Sequence, residues 1–343
     1  MERYSYHERG TIAQPGDMIH TRFTEMFNLD YLIMSSPMAM HSGGRLAAAV
    51  SKAGGLGSFG GVHRTKGPDW LREEISYIRS QTDRPFAVGF ITSFLPMFQQ
   101  HFAAVLDEKV PIVALSFGSP QPWLDQAKSA GAKVMCQVQS MEHAREAADG
   151  GADVIVAQGN EAGGHTGTMN LLPLLVSVLD AFSDIPVLAA GGIASGRALA
   201  AVLAAGADRA WSGTAFLATP ECVEIPAGHK QAVVESDGED TIYTRSYDVL
   251  WGQPWPEGIA ERVQRNKFTD EWHGREAEIA DRRDELAPQV QAGEADFNSG
   301  LRAVLYGQSA GAVHAVRPAS EVLRSICDGA ERILRERPRH LLM

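Results

Sequence analysis

The sequence contains little cysteine, no long apolar run and no cluster of basic residues. Its three cysteines, Cys136, Cys222 and Cys327, are far apart and form no Cys-x-x-Cys pair, which argues against a disulfide framework or a thiolate zinc site. The most apolar run, 171–179, is about nine residues long, whereas a membrane-spanning helix needs roughly twenty. Residues 1–14 are polar and include acids, unlike a signal peptide. We therefore expect a cytoplasmic protein that does not enter a membrane.

The charge balance is acidic and uneven along the chain. Forty-two acids against 31 bases give a net charge of −11, which excludes a basic nucleic-acid or anionic-membrane footprint. Charged residues make up 36 of the first 217 positions but 37 of the remaining 126. This difference predicts a buried-sheet domain over 1–217. It also predicts a helical and loop subdomain on the substrate side over 218–319.

The first 217 residues repeat a rhythm of short apolar runs followed by Ala- and Leu-rich helical patterns. The apolar runs, which are continuous like strands buried on both faces, are 31–36, 55–59, 86–91, 112–117, 133–138, 154–158, 187–190 and 209–212. The intervening helices are predicted at 45–53, 69–81, 98–107, 122–130, 141–149, 171–181 and 198–205. Eight such units favour an α/β fold of the (β/α)8 TIM-barrel type over a doubly wound sheet.

The C-terminal part has an expected place in this barrel. Residues 320–335 form an amphipathic pattern and predict a helix that returns to the barrel, while the helical region before it packs over the mouth. In such barrels the chemistry lies at the carboxyl ends of the strands. The residues at those ends are therefore the candidates for a site.

Glycines end the seventh and eighth apolar runs. Gly191 and Gly192 follow the seventh, and Ser212, Gly213 and Thr214 end the eighth. Barrels bind phosphate groups at these two strand ends, where backbone N–H groups and a short helix N-terminus meet the anion. The pattern predicts a phosphate-binding site, with ordinary tight turns as the alternative.

A glycine-rich loop follows the sixth run. It spans 158–167, begins with Gln158, and contains Gly163, Gly164 and His165. Imidazole titrates near neutral pH, so His165 is the candidate base, with a turn histidine bonded to backbone as the alternative. Glu161 is the acid in this loop, and we expect it to orient the local backbone.

The first and fifth runs also end in candidate residues. Pro37, Met38 and Ala39 follow the first run, where Met38 has the shape to pack on an aromatic cofactor ring. His41 is a second candidate base and a candidate substrate contact, and Gln137 lies at the end of the fifth run.

The residues that several kinds of enzyme chemistry require are missing from the predicted strand ends. The lysines avoid the predicted strand ends, which argues against Schiff-base chemistry. A His-Glu-x-x-His motif, paired carboxylates at the strand ends and a Rossmann Gly-x-Gly-x-x-Gly are also missing from the positions that need them. We therefore expect no metal, and we expect a bound phosphate-bearing cofactor to supply the chemistry.

At these residues the sequence resembles the nitronate monooxygenase family, formerly called 2-nitropropane dioxygenases. The similar segments are Pro37-Met38-Ala39, AAAVSKAGGLGSFGG (47–61), QGNEAGGHTG (158–167), LAAGGIASG (188–196), WSGTAFLAT (211–219) and WPEGIAERVQRNKFTDEWHG (255–274). The family consists of FMN-dependent (β/α)8-barrel enzymes. The resemblance implies oxidation of alkyl nitronates, or of nitroalkanes, with O2 to a carbonyl compound and nitrite.

The resemblance also implies roles for individual residues. Met38 and Ala39 would touch the flavin, Gln158 and Gly163 would line its ring and ribityl chain, and His165 would be the catalytic base. The phosphate would lie against Gly192 and the 211–214 segment, which begins at Trp211. The remaining residues expected at the cofactor are Pro37, Gln137, Gly164 and Gly191, and Met38, His41 and His165 are expected at the substrate.

Two positions depart from the family pattern, and two other functions remain open. Many relatives carry Gln where this chain has Ser35, and Asn where it has Gly89. The rival enzyme is an NAD(P)H-dependent flavin reductase of the same fold, either a quinone reductase or an enoyl-acyl carrier protein reductase. A barrel that binds a phosphate ligand without redox chemistry is the non-catalytic alternative. The expected partners are the small substrate and O2, in a monomer or a homodimer.

Overall fold

A computed structural model describes residues 19–294, 296–297 and 299–341. The expectation about the polar segment 1–14 lies outside these residues. Eleven strands occur in the described chain, at Ile33–Ser35 (β1), Gly57–Gly60 (β2), Phe86–Ile91 (β3), Ile112–Ser116 (β4), Lys133–Val138 (β5), Val154–Gln158 (β6), Gly164–Thr166 (β7), Val187–Ala190 (β8), Arg209–Ser212 (β9), Thr241–Thr244 (β10) and Ala260–Gln264 (β11).

Eight of these strands form one parallel barrel. They pair in the order β1-β9-β8-β6-β5-β4-β3-β2. A parallel bridge between Met34 and Leu56 joins the two ends of this order, and the Ser35 N–H donates to the Leu56 carbonyl. A doubly wound sheet would leave its outer strands unpaired, whereas here β1 contacts β2. The predicted (β/α)8 barrel is therefore confirmed.

Helices surround the barrel and extend beyond it. The described α-helices are Arg22–Phe27 (α1), Gly44–Lys52 (α2), Pro68–Gln81 (α3), Gln99–Asp107 (α4), Trp123–Ser129 (α5), Met141–Asp149 (α6), Leu171–Ala181 (α7), Gly196–Ala204 (α8), Thr214–Leu217 (α9), Ala227–Glu235 (α10), Ser246–Leu250 (α11), Lys267–Trp272 (α12), Glu276–Asp281 (α13), Arg283–Glu294 (α14) and Ala319–Leu341 (α15). Short 3-10 helices lie at Thr92–Met97 and Gln308–Ala312. None of the described helices is both long and apolar enough to cross a membrane.

Four of the ring helices end at a glycine. Gly54, Gly131, Gly151 and Gly206 follow α2, α5, α6 and α8 with φ between 82° and 111°. This left-handed conformation is strained for a residue with a Cβ atom, so glycine ends the helix and lets the next strand begin.

The last helix completes the outer ring. α15 packs against α8 and α2, in the place that an eighth βα unit would fill. The contact with α8 is close because a Cβ atom added at Gly196 would lie 2.6 Å from the carbonyl carbon of Gly329. The C-terminal helix thus returns to the barrel, and it is longer than the predicted 320–335.

The amino-terminal end of the barrel is plugged by α1. Phe23 is fully buried among the inward side chains of the strands, and the guanidinium of Arg209 lies 5.2 Å from its ring centroid. Arg22 pairs with the buried Asp208 at 2.9 Å. Burial lowers the pKa of Arg209, and its Nε and Nη1 atoms have no hydrogen-bond partner among the described residues.

Residues 218–319 cover the opposite end. We predicted helices and loops here, and the structure differs by adding an antiparallel hairpin of β10 and β11. β11 also pairs with β7, which belongs to the loop after β6. A three-stranded sheet therefore connects the second part of the chain to the barrel mouth. The division at residue 217 stays a prediction.

Candidate active site

A cavity of about 640 Å³ opens at the carboxyl ends of the barrel strands, beneath the part of the chain after residue 218. The structure brings every residue predicted for the site to its wall. These residues are Pro37, Met38, Ala39, His41, Gln137, Gln158, Gly163, Gly164, His165, Gly191, Gly192, Trp211, Ser212, Gly213 and Thr214. Their individual roles stay predictions.

Glycine backbone forms one side of this cavity. Gly191 and Gly192 have φ of 100° and 71°, so they turn the chain sharply after β8. A Cβ atom at Gly213 would lie 3.2 Å from Ser36 Oγ and 3.4 Å from Met38 Sδ, and would occupy part of the open space. Within the described residues no side chain caps the start of α9. Uncapped N–H groups beside a side-chain-free surface fit the phosphate of a flat cofactor.

The hydroxyls of Ser212 and Thr214 at this edge take part in different hydrogen bonds. Ser212 donates to the Ile193 carbonyl at 2.6 Å and so fixes the loop after β8. Thr214 Oγ1 accepts from the Gly307 N–H at 3.0 Å, which leaves its own O–H available as a donor. Thr214 can therefore contribute a hydroxyl to an anion, whereas Ser212 can contribute its backbone.

The segment after β1 forms a tight turn. The His41 and Ser42 N–H groups both donate to the Met38 carbonyl, and Met40 has a left-handed φ of 62°. His41 is half-buried at the cavity wall, where desolvation lowers its pKa, and its Nδ1 donates to the Ala39 carbonyl at 3.0 Å. This hydrogen bond gives His41 a structural role at the turn. Of the two candidate bases, the geometry favours His165.

His165 is held on the short strand β7. Gln158 donates from its amide to the His165 carbonyl at 3.1 Å, and Gln139 donates to Gln158 at 3.0 Å. The Tyr243 hydroxyl donates to the Thr166 carbonyl at 2.9 Å. These bonds tie the glycine-rich loop to β6 on one side and to the hairpin on the other. The backbone of the candidate base is therefore fixed.

The imidazole of His165 contacts two residues from the second part of the chain. Its Nε2 lies 2.8 Å from Oδ1 of Asp248, a residue of α11 that is 2% exposed. Its ring stacks on Trp255, with centroids 3.5 Å apart and planes at 14°. Trp255 in turn packs against Phe94 and Phe117. The aromatic ring fixes the plane of the imidazole, and the carboxylate fixes one of its nitrogens.

Glu261 lies opposite His165 in the register of β11 and β7. Its side chain is buried, and burial together with the nearby Asp248 carboxylate raises its pKa well above the usual value. His165, Asp248 and Glu261 offer ligand atoms within 4.8 Å of one another. One imidazole and two carboxylates form a set that can hold a divalent cation, so the absence of a metal stays a prediction.

Glu161, the acid of the glycine-rich loop, orients backbone as expected. Both of its carboxylate oxygens accept from the Leu171 N–H, at 3.2 and 3.0 Å, at the start of α7. An acid at a helix N-terminus is favourable because the helix dipole is positive there.

The two departures from the family pattern have structural explanations. Ser35 is buried, and its Oγ accepts from the Ser58 N–H at 2.9 Å, so it links β1 to β2 where the barrel closes. A Cβ atom at Gly89 would lie 2.4 Å from Cγ of Pro37. The missing side chain at residue 89 therefore makes room for the proline that begins the candidate flavin-contacting turn.

Sequence reasoning missed Asp248 and Glu261 as site residues. Asp248 belongs to a five-residue helix with no recognisable motif. Glu261 had a usable signal, because an acid inside an apolar strand pattern (259–263) is costly to bury without a purpose. Trp255 stood out as a tryptophan of the second part, but its partner His165 is 90 positions away in the sequence.

The closed barrel thus places the glycine edge and the histidine held by a carboxylate around one cavity at the strand ends. The model of the nitronate monooxygenase family matches residues 20–95 and 90–329. The chain belongs to this family of flavoprotein oxidoreductases.

Curated relatives fall into two functional groups. A probable nitronate monooxygenase of Staphylococcus saprophyticus is 32% identical over 304 residues, which cover 74% of this chain and 82% of that protein. A (3aS,4S,5R,7aS)-5-hydroxy-7a-methyl-1-oxo-octahydro-1H-indene-4-carboxyl-CoA dehydrogenase of Mycobacterium tuberculosis is 32% identical over 254 residues. That alignment covers 74% of this chain and 68% of the dehydrogenase.

Solved structures share the fold over most of their length. FabK from Thermotoga maritima has a TM-score of 0.82 at 31% identity, covering 94% of this chain and 100% of that one. The nitroalkane oxidase from Streptomyces ansochromogenes has a TM-score of 0.77 at 31% identity, covering 94% and 99%. Both comparisons include the barrel and the second part.

Proposed function

We propose that the protein oxidises alkyl nitronates with O2, using FMN, and that it accepts neutral nitroalkanes by first removing their α-proton. The products are a carbonyl compound and nitrite. The observation that carries the proposal is the position of His165, which lines the same cavity as the glycine ends of β8 and β9. The nitronate monooxygenase and nitroalkane oxidase relatives support this substrate class.

The residues would hold FMN in two groups. Backbone of Gly191 and Gly192 and of the 211–214 segment would bind the phosphate, with the Thr214 hydroxyl as a further donor. Pro37, Met38 and Ala39 would face the flavin ring. The other contacts to the ring and ribityl chain would come from Gln137, Gln158, Gly163 and Gly164. The chemistry that bound FMN supplies is one-electron oxidation of the nitronate followed by reaction with O2.

The chain's own residues handle the substrate proton. His165 takes the α-proton of a neutral nitroalkane, Met38 and His41 contribute to the substrate wall, and Trp255 keeps water away from one face of the imidazole. A preformed nitronate has already lost this proton. The two substrate forms therefore separate proton removal from the oxidation that follows.

Two measurements test the proposal. The purified protein should show a flavin absorption spectrum, and oxygen uptake should begin with propionate 3-nitronate. Replacing His165→Ala should keep FMN bound and reduce turnover of neutral nitroalkanes by about 10²-fold or more, the usual contribution of a general base. Nitronate turnover should fall much less, since it needs no base.

A matched control uses another buried histidine. His101 donates from Nε2 to the Lys66 carbonyl, 3.0 Å away, and is not part of the cavity wall. His101→Ala should leave the ratio of nitroalkane to nitronate turnover unchanged. If His165→Ala retains full nitroalkane turnover, His165 is not the base.

The second candidate function is an NAD(P)H-dependent flavin reductase. It is favoured by the CoA-thioester dehydrogenase relative and by the fold similarity to FabK. Anaerobic mixing separates the two. Rapid bleaching of the flavin by NADH or NADPH, with no bleaching by a nitronate, would select the reductase.

A further inference from the structure

Asp248 is a buried carboxylate that the proposed chemistry does not yet use. It lies on α11, directly after the β10 strand, and is 2% exposed. Oδ1 contacts His165 Nε2 at 2.8 Å, whereas Oδ2 has no hydrogen-bond partner among the described residues. The histidine is therefore the polar contact that compensates the burial of Asp248.

The geometry of the contact places the hydrogen between Asp248 and His165. A carboxylate oxygen accepts hydrogen bonds, and Oδ1 of Asp248 lies 2.8 Å from Nε2 of His165. Nε2 is therefore the ring nitrogen that is placed to donate. In a neutral imidazole the other ring nitrogen, Nδ1, then has the lone pair.

We propose that Asp248 is the positioning residue for His165, and that it holds the imidazole in the tautomer whose Nδ1 has the free lone pair. This inference rests on the proposed function. In the reaction the Cα–H bond of a neutral nitroalkane breaks, its proton goes to Nδ1, and the bonding electron pair moves into the nitro group to give the nitronate. The Asp248 carboxylate then stabilises the imidazolium, as in other His–carboxylate pairs.

Trp255 explains why a carboxylate is needed for this task. Stacking at 3.5 Å holds the ring plane, but an imidazole flipped by 180° about its Cβ–Cγ bond lies in the same plane and keeps the stack while its two edges are exchanged. The hydrogen bond to Asp248 removes this freedom. Ring plane and tautomer are therefore set by two residues of the second part of the chain.

The first test replaces Asp248→Asn. The amide has nearly the same shape but no charge, and it can donate to Nε2 and stabilise the opposite tautomer. We expect kcat for neutral nitroalkanes to fall by about 10²- to 10⁴-fold, as amidation does in a comparable pair. Turnover of the preformed nitronate should stay within about threefold, since it bypasses proton removal.

The second test combines this variant with His165→Ala. If Asp248 acts through the imidazole, Asp248→Asn should cause no further loss of nitroalkane turnover in the His165→Ala background. Independent losses that multiply would overturn the proposal. Asp208→Asn is the matched control, because Asp208 is also buried but accepts from Arg22 and the Val187 N–H at the other end of the barrel, outside the cavity wall. It should lower stability without changing the nitroalkane to nitronate ratio.

The third test does not depend on turnover. Nitrogen NMR of protein labelled at histidine distinguishes protonated from unprotonated ring nitrogens, and the His165 signals are assigned by their loss in His165→Ala. The wild type at neutral pH should show a protonated Nε2 and an unprotonated Nδ1, and Asp248→Asn should alter this pattern. A protonated Nδ1 in the neutral wild-type ring would overturn the inference.

The two proposals fail in different ways. If the wild type consumes neither nitroalkane nor nitronate, the proposed function is wrong, while the NMR result still decides whether Asp248 sets the tautomer. If nitroalkane is consumed and Asp248→Asn leaves its turnover unchanged, the function stands and the positioning role is wrong.

Discussion

The two ends of the barrel bury charge in opposite ways. At the amino-terminal end, the guanidinium of Arg209 lies over Phe23 and donates to the Ile33 carbonyl, and within the described part of the chain its Nε and Nη1 have no partner. At the carboxyl end, Asp248 and Glu261 are buried, and the contact that compensates Asp248 is His165. The cation is sealed behind α1, whereas the two acids line a cavity. Of these buried ionisable groups, only the two acids lie where a substrate could meet them.

The glycines follow the same division. Those after the ring helices end an element at the bottom of the barrel, whereas those after β8 and β9 expose backbone at the top. The glycines after the ring helices and the two after β8 adopt left-handed conformations that any side chain would strain, whereas Gly213 after β9 does not. Their surroundings distinguish them, since the upper group faces the cavity.

The largest expected effect is a loss of FMN affinity when the upper group of glycines is changed at the proposed anion site. Gly192→Asp places a carboxylate where the phosphate is proposed to bind, and like-charge contact costs several kcal/mol. We expect FMN affinity to fall by about 100-fold or more, measured by flavin titration of apoprotein.

Gly131→Asp is the matched variant at the bottom. Gly131 has a similar left-handed φ of 89°, and no atom lies within 4 Å of an added Cβ atom. Both variants carry the same conformational strain, roughly 1–2 kcal/mol. If Gly131→Asp and Gly192→Asp lower FMN affinity equally, the added carboxylate at residue 192 has no effect of its own. Gly192 then contributes only its backbone geometry.

The next effect tests the contact between Trp255 and His165 at the barrel mouth. Trp255→Ala removes the ring stacked on His165 and should lower the free energy of unfolding by about 3–5 kcal/mol. It should also reduce nitroalkane turnover more than nitronate turnover, since the imidazole loses its fixed plane. Trp272→Ala is the control, because Trp272 is equally buried but lies outside the cavity wall. Similar turnover ratios for both variants would remove Trp255 from proton transfer.

The smallest effect concerns the pH dependence of stability. The folded state holds the proton of Glu261 to higher pH than the unfolded state does, because its pKa is raised by burial and by Asp248. Glu261 therefore lowers the free energy of unfolding increasingly as the pH rises above the ordinary pKa of a glutamate. Glu261→Gln keeps the neutral shape, so its melting temperature should rise relative to wild type between pH 5 and pH 8.

Arg209→Met supplies the comparison from the other end. A guanidinium stays protonated in both states throughout that range, so the difference in melting temperature from wild type should be the same at pH 5 and pH 8. A Glu261→Gln difference that is also constant would mean that Glu261 is ionised in the folded protein.

The barrel could be predicted because its signals are local. The strands are short apolar runs, and four of the ring helices end at a glycine, so a window of about fifteen residues contains the information. The same was true of the glycine edge and of the glycine-rich loop that carries His165, because each of these signals lies within a short segment. These features were all present in the first 217 residues.

The features that could not be predicted depend on contacts between residues that are far apart in the sequence. β7 has three residues and resembles a flexible glycine-rich loop until β11, about 95 positions later, pairs with it. Asp248 is recognisable as a site residue only through its contact with a histidine 83 positions earlier in the sequence. Neither strand pairing nor an isolated acid leaves a periodic signal in one sequence.

The position of α15 has a consequence for how the protein is made. Translation produces the barrel strands first and the helix that packs against α8 and α2 last. Until about residue 330 has left the ribosome, the apolar faces of two ring helices have no partner. A nascent chain stalled or cleaved before α15 would therefore expose a seam in the barrel wall, and chaperones and proteases would meet this seam first.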